Sequence, residues 1–94
     1  MIKRTYPGSA SLLQDLGKRM MVYLRGNRVY FGQLRIVDQF GMRLHQVHHT
    51  PGNIVLHQAH ERIHVQNKFS DIPQGILMIR GENIIMIGEV VSQY

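Results

Sequence analysis

Six histidines, His45, His48, His49, His57, His60 and His64, fall within twenty residues of one another. Clustered imidazoles raise the question of zinc. The chain has no cysteine to complete a thiolate-containing site, and on strands neighbouring residues point to different faces, which scatters the ring nitrogens. Exposed strand histidines are therefore expected, with no metal bound; their protonation below neutral pH adds positive charge to the region. Catalysis finds equally little support. No Ser or Thr stands in a recognisable nucleophile context, no Gly-rich loop is suited to phosphate, and the six carboxylates are scattered. Neither an enzyme nor a cofactor is expected.

The charge balance points elsewhere. Net charge is +5, and eight of the eleven cationic residues are arginine. Such a balance suits an anionic partner, most often nucleic acid, although a generic basic surface fits the charge equally well. The absence of cysteine removes disulfide and thiol chemistry and fits a reducing compartment. The apolar runs are far shorter than the roughly 20 residues that span a bilayer. No charged-then-apolar leader opens the sequence, so no membrane partner is expected.

The stretch Gln74 to Val90 organises the rest. Two apolar runs, Ile76-Leu77-Met78-Ile79 and Ile84-Ile85-Met86-Ile87, flank Arg80-Gly81-Glu82-Asn83. Short isoleucine-rich runs bounded by Gly or polar residues predict strands, and the Gly and Asn between them suit a tight turn. A hairpin with a lone arginine at its tip is expected. A half-solvated sheet alternates apolar and polar residues; here all eight flanking residues are apolar. One face can lie on the domain's own core. The other needs cover, and with one short helix available that cover is assigned to a second subunit.

The preceding residues supply the remaining elements. Residues 1–8 read as an irregular arm. Ser9 to Leu16 predicts a short helix, with Leu12, Leu13 and Leu16 on one face, Asp15 exposed and Gly17 ending it. Lys18 to Arg25 predicts a strand with Met20, Val22 and Leu24 sharing a face, followed by a Gly26-Asn27 turn. Val29 to Phe40 predicts a long strand with Tyr30, Leu34 and Ile36 in phase, and Gly32 within it suggests a bend or a close backbone approach. After a Pro51-Gly52 turn, Asn53 to Val65 resumes as strand. Ile54 and Leu56 have one parity, whereas Ala59, Ile63 and Val65 have the other, so a bulge or bend is expected at His57 or Gln58. Gln66 to Pro73 reads as a polar loop. The sum is mainly β: one short helix and five strands in a strongly bent antiparallel sheet or small open barrel. A near-repeat, Leu44-His45-Gln46-x-His48 and Leu56-His57-Gln58-x-His60, marks a local duplication or insertion. The methionines, among them Met20, Met21, Met78 and Met86, suit core or interface filling.

Two linked segments carry a family resemblance. Leu24-x4-Val29-x2-Gly32-x-Leu34-x3-Asp38-x-Phe40, continued by Asn53-x2-Leu56 and Glu61, resembles the first conserved segment of Sm and Sm-like proteins. Ile79-Arg80-Gly81-x-Asn83-Ile84 resembles the second. The likeness covers about residues 6–90. The stretches IVLHQ (54–58), ERIHV (61–65), DIPQG (71–75) and RGEN (80–83) look like those of the paralogue in the cytoplasmic mRNA-decay ring. The resemblance implies the Sm fold over residues 9–91, with an insertion at about 41–52. It implies a seven-membered ring of different Sm-like paralogues joined through Ile76, Leu77, Met78, Ile79, Ile84, Ile85, Met86 and Ile87. It further implies uridine-rich mRNA 3′ ends as ligand, decapping activators as partners, and residence in the cytoplasm and P-bodies. A nuclear spliceosomal RNA ring is the alternative within the family; a monomeric oligonucleotide-binding β-barrel is the alternative outside it.

Carried over by position, Asp38, Phe40 and Asn53 match the family's first RNA-binding loop, and Arg80 with Gly81 matches the second. Phe40 takes the stacking position, which holds a base by roughly 1–3 kcal/mol. The Asn53 amide would read the uracil edge, and Arg80 would supply charge or a planar stacking surface. Asp38 is assigned to orient Asn53 or backbone N–H groups. One departure bears on the site. Twelve residues, 41–52, separate Phe40 from Asn53, where the family places one. Either they loop out and leave Asn53 beside Asp38, or they extend the hairpin and carry it away. A ring member whose insertion has spoiled its own pocket is thus a further reading. Gly26-Asn27 stands where an acidic-Gly pair is usual, which changes little.

Overall fold

The computed structural model describes the backbone of residues 2–6, and residues 12–38 and 52–91 in full. Six strands are present among them: β1 (Ile2–Tyr6), β2 (Arg19–Leu24), β3 (Arg28–Val37), β4 (Ile54–Val65), β5 (Lys68–Ile79) and β6 (Ile84–Val90). They form one sheet in the order β1-β6-β2-β3-β4-β5, with every pairing antiparallel. Among the described residues two 3-10 turns, Leu12–Asp15 and Gly81–Asn83, interrupt the strands.

Alternation in β2 buries Met20, Val22 and Leu24. They pack with Leu12, Tyr30, Leu34, Ile54, Leu56, Ala59, Ile79, Ile84 and Ile87 in a single core. Each large side chain so buried contributes roughly 1.5–3 kcal/mol. Gly26 (φ 85°) and Asn27 (φ 62°) turn β2 into β3 as expected. Gly32 is where β3 presses on β4: a Cβ there would lie 3.0 Å from Leu56 Cβ and 3.1 Å from the His57 carbonyl oxygen. The phase flip in β4 also falls where the sequence places it. Gln58 has φ 50°, and the β4–β5 register slips between Leu56 and Ala59.

Several expectations are corrected. Residues 1–8 are not an irregular arm throughout, because Ile2–Tyr6 pairs with β6. The described part of the predicted helix is a 3-10 turn, Leu12–Asp15. With three residues per turn, Leu12 and Asp15 share its inner side, so Asp15 is buried while Leu13 and Leu16 are exposed. Lys18 Nζ meets the Asp15 carboxylate at 3.2 Å. Ile36 is exposed, not core, since the register of β3 on β4 slips between Leu34 and Ile36 and brings Val37 to the core instead.

Most of Gln66 to Pro73 is strand. Only Gln66 and Asn67 turn, with Gln66 at φ 57°. Pro73 is accommodated because β5 is an edge strand. The two apolar runs do not form a hairpin together: Ile76–Ile79 pairs with β4, whereas β6 pairs with β1 and β2. The short segment between them passes the chain from one side of the bent sheet to the other.

Candidate nucleic-acid interface

The Asp38 N–H donates to the Asn53 carbonyl oxygen at 2.8 Å, one step beyond the Val37–Ile54 pair. Asn53 therefore sits beside Asp38 despite the intervening residues and is not carried away from it. Gly52 makes this closure possible. A Cβ at that position would overlap the Asp38 carbonyl group, so only glycine fits without shifting backbone. Phe40 and residues 41–51 of the insertion lie outside the described residues, as does the first copy of the near-repeat.

Asn53 also reaches the second segment. Ile54 pairs with Ile79, which sets Asn53 near Arg80 and Gly81. The Gly81 N–H donates to Asn53 Oδ1 at 3.0 Å. Side-chain oxygen and backbone donor thus fix the amide orientation and leave the Nδ2 hydrogens outside that bond. Asn53, not the Asp38 carboxylate, is what Gly81 holds; Asp38 is tied to Asn53 through the backbone.

Gly81 is buried and Arg80 is exposed. Arg80 has extended backbone (φ −73°, ψ 133°) and precedes the 3-10 turn, closed by the Asn83 N–H donating to the Arg80 carbonyl at 3.0 Å. Among the described residues no carboxylate pairs with its guanidinium. Arg25 braces the turn from the β2–β3 connection. Its backbone N–H donates to the Asn83 carbonyl at 2.9 Å, and its Nε donates to the Glu82 carbonyl at 3.0 Å. Sequence reading missed this role, since nothing local in the sequence ties Arg25 to residues 57 positions away.

The structure thus brings together Asp38, Asn53, Arg80 and Gly81, from three different strand ends. The chemistry on offer is a fixed amide with donors to spare, beside a guanidinium that no carboxylate meets among the described residues.

The eight apolar positions divide. Ile79, Ile84 and Ile87 are buried in the chain's own core, and Leu77 packs against it. Ile76 and Met78 are each 69% exposed, and Ile85 is 45% exposed. In β6 the parity changes because Leu24 pairs with Ile84 but Tyr23 with Met86, bulging Ile85 outward. Exposed apolar side chains are therefore found on both strands.

A second polar cluster lies on the outer face of β3, β4 and β5. Arg62 Nε and Nη2 donate to the two Asp71 carboxylate oxygens at 2.8 and 3.0 Å. The same guanidinium lies 4.5 Å from the Phe31 ring centre and 4.1 Å from that of Phe69. His60 stacks on Phe31 at 5.3 Å and approaches Asp71 at 3.4 Å. The hydrogen bond from Arg62 holds the Asp71 carboxyl below its usual range. Burial pushes His60 below the ordinary histidine value, outweighing Asp71; Arg19 and Arg62 push the same way. His57, His60 and His64 are strand residues, and among the described residues no three His, Asp or Glu side chains group to hold a metal.

With this geometry in view, comparisons with known proteins identify the class. An LSM domain model matches residues 52–89. "Sm-like protein LSM1A" of Arabidopsis thaliana is 42% identical over 82 residues, covering 87% of this chain and 56% of that protein. "LSM1-LSM7 complex subunit LSM1" of Saccharomyces cerevisiae is 36% identical over 84 residues, covering 87% and 42%. "Probable U6 snRNA-associated Sm-like protein LSm8" of Dictyostelium discoideum is 32% identical over 81 residues, covering 86% and 74%. The crystal structure of a heptameric archaeal Sm protein superposes with a TM-score of 0.63 at 29% identity, covering 88% of this chain and all of that one.

The chain belongs to the Sm-like family and has its bent antiparallel fold. Within the family its identity is higher to these LSM1 proteins than to the LSm8 protein. It spans about half the length of the LSM1 proteins it matches.

Proposed function

We propose that this chain is a non-catalytic, RNA-binding subunit of a heteroheptameric Sm-like ring. The ring takes uridine-rich mRNA 3′ ends and promotes decapping and decay, in the cytoplasm and its P-bodies. The observation that carries this reading is the Asn53 side chain bonded to Gly81 while its backbone is bonded to Asp38. Both halves of the site stand together in spite of the insertion. Orientation by Gly81 commits Oδ1 and turns the amide into a hydrogen-bond donor, which suits the carbonyl oxygens of uracil. Arg80 adds charge or a stacking plane beside it. Two relatives support the assembly: one is a subunit of an LSM1-LSM7 complex and another is a heptamer.

Native mass spectrometry of the chain mixed with the other Sm-like paralogues tests the assembly. A seven-subunit ring containing one copy is expected; persistent monomer contradicts it. Titration of that ring with oligo(U) and oligo(C) tests the ligand, with tighter binding to oligo(U) expected. Tight RNA binding by the isolated chain would favour the monomeric barrel instead.

A further inference from the structure

A sheet that joins its neighbours edge to edge needs two edges on offer. One is plain: β5 pairs with β4 through ten register positions and has no strand on its other side among the described residues. Ile72, Ile76 and Met78 are exposed along it. At the opposite end β6 is flanked by β2 on one side and by β1 on the other. The edge that β6 would present is therefore occupied by the chain's own residues 2–6.

That cover is thin. β1 meets β6 at four register positions, Ile2–Val90, Arg4–Glu89, Thr5–Gly88 and Tyr6–Ile87, and slips between Ile2 and Arg4. None of these pairs involves Ile84, Ile85 or Met86. A bulged five-residue strand that includes Lys3 and Arg4 has the features that guard an edge against unwanted pairing. β6 beneath it is longer and mostly apolar, which makes it the better template for another strand.

We propose that β1 is a removable cap on β6. It guards that edge in the unassembled subunit and is displaced by the edge strand of the neighbouring ring subunit. The Ile84–Met86 segment, which lies beyond the β1 pairs, gives the incoming strand its first ladder contacts, and pairing then advances toward Val90 as β1 peels away. This inference rests on the ring reading.

A reversible tether tests it. The chain lacks cysteine, so Arg4→Cys with Glu89→Cys introduces the only thiols, at positions that are register partners. The oxidised chain, mixed with the Sm-like paralogues, is expected to stay out of the ring, and reduction is expected to restore entry. Equal entry of oxidised and reduced forms would overturn the proposal. A second variant, Arg4→Pro with Thr5→Pro, loosens the cap without a tether. Adjacent residues point their N–H groups to opposite sides of a strand, so one of the two prolines must delete a donor facing β6. Its entry into the ring should be faster by a factor on the order of ten, with unchanged final stoichiometry. Entry at the wild-type rate, or a failure to enter, would show β1 to be indifferent to the joint or part of it, against the proposal. If the wild-type chain itself enters no ring, the ring reading falls and this inference with it.

Discussion

Two arginines, Arg62 and Arg80, occupy opposite circumstances. Arg62 is bound by both oxygens of Asp71 and flanked by two phenylalanine rings. Arg80 is exposed at the entrance to a braced turn, with no carboxylate against it among the described residues. A guanidinium already neutralised and sandwiched has little left for a ligand; its contacts hold β3, β4 and β5 together. A guanidinium beside a fixed amide, with no carboxylate partner among the described residues, is available. Rigid backbone with an uncommitted side chain is the arrangement a binding site requires, and it sets Arg80 apart from a cation that merely packs.

The largest effect is expected from removing the rigidity under Arg80. Gly52→Ala drives a Cβ into the Asp38 carbonyl. The β3–β4 closure must open, at about 1–3 kcal/mol of stability, and oligo(U) binding by the assembled ring should fall with it. Chemical denaturation and RNA titration read the two losses. Arg80→Ala should separate them, weakening oligo(U) binding by about 1–3 kcal/mol while leaving the unfolding midpoint in place.

Arg62→Ala should do the reverse. Loss of two cation–π contacts and an ion pair lowers stability by about 1 kcal/mol, and RNA affinity of the ring stays unchanged. A drop in affinity there would erase the distinction between the two arginines. The smallest effect concerns pH. Folded His60 resists protonation below the ordinary value of 6.5. The unfolded chain therefore takes up the proton first as pH falls, and stability is lost on acidification through that value. Between pH 7.5 and 5 the wild type should lose more stability than His60→Gln. Parallel curves would show that His60 is not perturbed.

How much of this could be read in the sequence depended on how local the cause was. The bulge at Gln58 and the close approach at Gly32 were legible because parity and glycine report on one strand at a time. Asp38, Asn53, Arg80 and Gly81 were legible only through the family motif, since no spacing rule brings positions 38, 53 and 81 together. Partner choice was the main failure. Ile76–Ile79 and Ile84–Ile87 look the same whether they pair with each other or with strands far away. β5 was half hidden because its first residues are polar, as an edge strand permits. Asp15 was misjudged because one 3-10 turn and one α-helical turn put different residues inside. The Arg62 cluster needs a cross-strand register, Phe31 with His60 and Arg62 with Asp71, which no single segment displays.

The Asn53 amide offers the most direct measurement. Asn53→Asp keeps an oxygen to accept the Gly81 N–H but replaces the amide donors with acceptors. Uracil carries a carbonyl oxygen where cytosine carries an amino donor. A ring containing the variant, folded with an unchanged unfolding midpoint, should lose or invert the wild-type ratio of oligo(U) to oligo(C) affinity. The ratio cancels the added negative charge, which weakens both. An unaltered preference for oligo(U) would contradict the assignment of Asn53 as the group that reads the base.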